Sequence, residues 1–225
     1  MGKEQKMVDM KLFLNYDSIS DKIVYKLANP QQNRELLEDI PYIEFFDLVI
    51  IFQCLVTSEP VSTSYILVHN VHLRLWDVTV DDLLKIANEN TPRLMGYEFK
   101  NMKDVLQEIM EPKSPEKSDF DTCMDWLGDG NPMYVLSNKS RIAGATCILY
   151  PTLLPDICDK LKSSFYIIPS SIHEVLILPA DNTDKGENIR AIIKEVNDTQ
   201  VALEDILSYS LYYYERDGYR LYRVE

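Results

Sequence analysis

Runs of apolar residues alternate with short polar breaks along the chain, and their spacing sets the predicted elements. Residues 1–18 are polar and mixed, which predicts a loose segment or a partly paired strand. Residues 20–39 predict helix: Ser20 can cap it, and Ile23, Val24 and Leu27 recur at helical spacing. Pro30 fits the first turn of a second helical stretch carrying Leu36 and Leu37. Residues 43–56 are rich in β-branched and aromatic side chains. With Thr63 to His69 beyond a Thr57–Pro60 turn they predict a long antiparallel hairpin, although a continuous apolar run also fits a buried helix.

Thr79 followed by Val80, Asp81 and Asp82 is a helix start, with acidic groups at the positive helix end. Thr91-Pro92 is expected to stop that helix, because the residue before proline avoids the α region. A further helix is expected over 100–110, with Met102, Val105, Leu106, Ile109 and Met110 on one face. Residues 133–136 and 142–149 predict two strands, and a helix follows Pro151 and Pro155 with Ile157, Cys158 and Leu161 inward. Residues 165–178 predict strand, turn, strand; residues 187–196 predict a helix. The chain closes with two aromatic arms around Asp217-Gly218, a strong hairpin signal in which Gly218 is expected at positive φ. Hairpins separated by helices predict an α+β fold with antiparallel sheets, in two lobes. Residues 111–119 carry two prolines and no large apolar side chain. They are the expected linker between an N-terminal lobe, 1–110, and a C-terminal lobe, 120–225.

Composition narrows the function. Apolar residues make up 46% of 225, enough for a core, and the net charge is −13. That acidity disfavours direct nucleic-acid binding, which needs clustered Lys and Arg. No secretory leader opens the chain, and the apolar run 45–56 is too short to cross a bilayer. Cys54, Cys123, Cys147 and Cys158 form no C-x-x-C pair. The expectation is a cytoplasmic protein with free thiols and no membrane association.

Five segments carry a resemblance: NRELLEDIP (33–41), WDVTVDDLLKIANENTPRL (76–94), MYVLSN (133–138), GATCILYP (144–151) and FYIIPSSIHEVLILP (165–179). Together they resemble an uncharacterised domain-of-unknown-function family of anaerobic Gram-positive bacteria, often found on mobile elements. The likeness spans about residues 20 to 215. It implies a bacterial or mobile-element setting and supplies no activity, ligand or site.

Four constellations are candidates for chemistry. Ser170, Ser171 and His173, followed by Glu174, hold the residue types of a serine hydrolase. In an extended segment, however, Ser171 and His173 share one face and Glu174 points the other way, and no G-x-S-x-G elbow is present. A hairpin turn is the preferred reading. His69 and His72, with Asp119, Asp121 and Cys123, have no spacing that demands a metal, so no metal is expected. Asp119, Asp121, Asp125 and Asp129 lack the calcium-loop pattern. No glycine-rich phosphate loop exists, so no nucleotide or other cofactor is expected. Tyrosines crowd the C-terminus, and Tyr212, Tyr213, Tyr214 and Tyr219 are the candidate interaction residues, with a protein partner or self-association expected. The leading expectation is a non-enzymatic interaction or accessory protein. The alternatives are an acidic inhibitor of a nucleic-acid-binding defence system and a hydrolase using the Ser/His pair.

Overall fold

The computed structural model describes residues 13–59, 62–109, 132–169, 171–180, 186–199 and 201–224. The fold is α+β, with two antiparallel sheets and intervening helices, as the hairpin pattern predicts. The chain divides into two compact units, residues 1–94 and 95–225.

In the first unit a short helix α1 (Tyr16–Ile19) precedes strand β1 (Ile23–Ala28). The helix expected over 20–39 is therefore not there. Five of the six residues in β1 are buried, so both faces of the strand are covered. An all-round apolar run does not reveal its own period. Pro30 lies in a turn held by the Asn29 side chain, which accepts from the amides of Gln31 (2.9 Å) and Gln32 (3.3 Å). Only the short α2 (Arg34–Leu37) follows.

The apolar run 43–56 also divides. Strand β2 (Tyr42–Phe45) turns at Phe46, which adopts φ 55°, into β3 (Leu48–Glu59). The long β3 pairs with β1 along one edge, and with β2 and then β4 (Ser62–Leu67) along the other. The β3–β4 hairpin is the one expected, with a register shift between Leu55 and Thr57. Helix α3 (Asn70–Trp76) leads to α4 (Val80–Met95). Thr79 caps α4: its Oγ1 accepts from the Asp82 amide (3.2 Å), and the Asp82 carboxylate accepts from the Thr79 amide (2.9 Å). Contrary to expectation α4 runs through Pro92. The turn carrying the proline is anchored from outside: Thr91 Oγ1 accepts from the Tyr25 amide (3.2 Å), and Asn90 Nδ2 donates to the carbonyls of Ser20 (2.7 Å) and Ile23 (3.0 Å). These bonds hold the helix to the start of β1.

The second unit is built on a six-stranded sheet ordered β10-β9-β7-β8-β6-β5. Its strands are β5 (Glu98–Asn101), β6 (Tyr134–Ser137), β7 (Phe165–Ile168), β8 (Val175–Pro179), β9 (Leu211–Glu215) and β10 (Arg220–Val224). Helices α5 (Met102–Ile109), α6 (Leu153–Leu161) and α7 (Gly186–Thr199) connect them. Residues 95–109, expected in the N-terminal lobe, belong here, because β5 pairs with β6. The expected linker 111–119 lies outside the described residues.

Residues 144–149, expected as a strand, form a 3-10 helix. Gly144 explains the difference. A Cβ there would stand 2.1 Å from Ser137 Oγ, 2.4 Å from the His173 carbonyl oxygen and 2.7 Å from the Asn138 amide nitrogen. At Gly144 the chain passes so close to the ends of β6 and the β7–β8 turn that a side chain has no room. On one sheet face, Ile168 and Leu211 pack with Ile189 and Ile193 of α7. The other face is a second apolar layer, in which the Phe165 and Tyr214 rings stack at 5.1 Å.

Candidate functional site

Ser171 makes an isolated bridge to Ile206 at the turn between β7 and β8, and is buried. Its Oγ accepts a hydrogen bond from the His173 backbone amide (3.0 Å), the self-closing turn that serine favours. The imidazole points elsewhere: its Nε2 lies 3.4 Å from Asp205 Oδ1, and its Nδ1 has no partner among the described residues. Ser170 lies outside the described residues. The hydroxyl–imidazole bond of a serine hydrolase is thus not formed by Ser171. Glu174 lines a separate hollow whose lining does not include His173.

His69 and His72 do come together in the first unit, but as structural groups. The His69 amide donates to His72 Nδ1 (2.8 Å), and His69 Nδ1 lies 2.8 Å from the Asp39 carboxylate. The His72 ring stacks on Trp76 at 5.1 Å and meets Phe13 edge-on. Burial, and then the neighbouring His69, push the His72 pKa down. Their proposed co-ligands Asp119, Asp121 and Cys123 lie outside the described residues, as do Asp125 and Asp129. No group of three metal-binding side chains occurs among the described residues.

The C-terminal tyrosines divide by face. Tyr212 is fully buried and Tyr214 is 4% exposed. Burial pushes the Tyr214 phenol up to about 12. These two side chains belong to the core. The expectation that only one face of β9 packs fails because α7 covers the Leu211 side as well. Tyr213 is half-buried, packed against Tyr166 with ring centroids 5.2 Å apart.

Tyr219 and Tyr222 are exposed, at 50% and 40%. The turn that presents them differs from the expected one. Tyr219, not Gly218, takes the left-handed conformation, with φ 49°. Its hydroxyl donates to Asp159 Oδ1 (2.8 Å), and the Arg216 guanidinium donates to the Lys162 carbonyl (2.6 Å). These contacts hold the turn against the end of α6 and compensate a backbone conformation costly for a residue with a Cβ. Beyond the turn, β10 forms one edge of the sheet. It exposes Arg220, Tyr222 and Arg223. No carboxylate pairs with either arginine among the described residues. Composition signals this patch only indirectly: residues 216–224 hold three arginines and one aspartate in a chain of net charge −13.

The fold is α+β, and the Ser171 hydroxyl and His173 imidazole are not bonded to each other in it. The chain belongs to the family of unknown function DUF5688, whose model matches residues 1–216. No curated protein and no solved structure matches it. The match ends at the C-terminal turn, so β10 lies beyond it. No described helix is long and apolar enough to cross a membrane.

Proposed function

We propose that this is a non-enzymatic interaction protein whose docking surface is the β10 edge. The observation that carries this reading is the edge itself: Arg220 and Arg223 without partner carboxylates, beside exposed Tyr219 and Tyr222, on a strongly acidic chain. An edge strand has backbone donors and acceptors to offer a further strand. Tyrosine and arginine are the residue types most enriched where partners are held. The partner is an acidic protein segment that adds as a strand, its carboxylates meeting the two arginines. The resemblance supports a setting in a bacterium or its mobile elements, and the cysteines, with no C-x-x-C pair, support a cytoplasmic one.

The test is paired affinity capture from the host, with wild-type protein and an Arg220→Glu, Tyr222→Ala, Arg223→Glu variant that melts at the same temperature. The reading expects a partner held by the wild type and lost by the variant, which then binds the purified wild type directly. Identical capture by both proteins, or retention of the wild type on nucleic acid through this edge, contradicts it.

A further inference from the structure

At the opposite end of the same sheet, the strand register builds a hollow of about 260 Å³. Lys100, Val135 and Leu176 form a row across β5, β6 and β8, and Glu98 lies opposite Ser137 across β5 and β6. Glu174, the residue before β8, lines the same hollow. Met102 and Val105 of α5 wall it. The floor and wall are thus apolar, and the rim is charged.

The rim charges do not balance. Lys100 Nζ sits 2.9 Å from Glu108 and 3.6 Å from Glu98; the Arg141 guanidinium sits 3.3 Å and 3.6 Å from the same two carboxylates. Two cations and two anions therefore close on one another. Glu174 faces the hollow with no ion-pair partner among the described residues. An anionic ligand would find both cations engaged, whereas one positive charge would complete the rim. An apolar floor beside one unpaired carboxylate suits a methylene stem ending in a cation, as a lysine side chain combines them. The volume lies below the range of about 300–1,000 Å³ common for drug-sized ligands, so the ligand is small.

We infer that this hollow binds a linear alkylammonium ion, its stem along Val135 and Leu176 and its ammonium on the Glu174 carboxylate. This site is independent of the β10 edge, and its failure would leave the docking proposal untouched.

Titration with n-butylammonium, followed by methyl NMR of Met102, Val105, Val135 and Leu176, tests it. The expected result is saturable shifts at these methyls. They weaken at least about fivefold in Glu174→Gln, as the loss of a partly exposed ion pair allows, and weaken again in high salt. Butyrate and butanol should not reproduce them. Equal binding by butanol, equal binding by Glu174→Gln, or shifts scattered over the surface would overturn the assignment. Glu35→Gln, in the first unit, serves as a control that should bind like the wild type.

Discussion

Gly144→Ala asks whether the wedge between β6 and the β7–β8 turn is as tight as the structure has it. The added methyl would stand 2.1 Å from Ser137 Oγ and 2.4 Å from the His173 carbonyl oxygen. Those two atoms are themselves joined by a hydrogen bond of 2.7 Å, so neither can withdraw without breaking it. Overpacking of this kind costs about 1–3 kcal/mol, and the lost hydrogen bond about 1 kcal/mol more. The lower entropy of the unfolded alanine chain returns about 0.4–1 kcal/mol. The net expectation is a loss of roughly 1–3.6 kcal/mol. In urea, with a slope of about 2 kcal/mol per molar, the midpoint should fall by about 0.5–1.8 M at unchanged slope. Ser137→Ala removes the nearest atom but not the carbonyl, so the double variant should recover only part of the loss, a coupling that a double-mutant cycle reads directly. A midpoint within about 0.2 M of the wild type would refute the reasoning.

Other outcomes follow from the same geometry. His72 is held neutral by burial, and its Nδ1 must accept from the His69 amide. Its depressed pKa contributes stability that is complete above the ordinary histidine value near 6.5 and is lost as pH falls through the lower folded value. His72→Gln should flatten this acid-side loss, and unchanged pH dependence would count against it. Burial raises the thiol pKa of Cys54 to about 11 and of Cys147 to about 12, and raises that of Cys158. All three should resist alkylation at pH 8 until urea is added, and reductant should leave the melting temperature unchanged; rapid native labelling would contradict this. Limited proteolysis should cut first within 111–119, where two prolines accompany almost nothing to bury. The fragments should still co-elute, because β5–β6 pairing joins residues on either side of the cut; separation on a sizing column would show that pairing to be weak.

Hairpins were the most legible part of the sequence. The β3–β4, β7–β8 and β9–β10 pairs all fall where apolar runs flank turn residues. Helices α4, α5, α6 and α7 follow from amphipathic spacing, because each buries one face only. Segments covered on every side were not legible. Ile23–Ala28 lost its period by being buried on both faces, and Gly144–Leu149 became a 3-10 helix through long-range crowding that no local window contains. The packing of the tyrosines was hidden for a similar reason. Alternation shows that Tyr212 and Tyr214 share a face, but not that α7 would cover the opposite one. The hollow emerges only when register brings β5, β6 and β8 together, and the exposure of Arg220 and Arg223 follows from β10 ending the sheet order.

The most direct test of the β10 surface is amide hydrogen exchange, residue by residue, on the purified protein with and without its purified captured partner. Strand addition predicts slowed exchange at residues 220–224, with β7 and β8 unchanged because they already lie inside the sheet. Slowed exchange confined to other elements, with 220–224 exchanging at the free rate in the complex, would contradict the account.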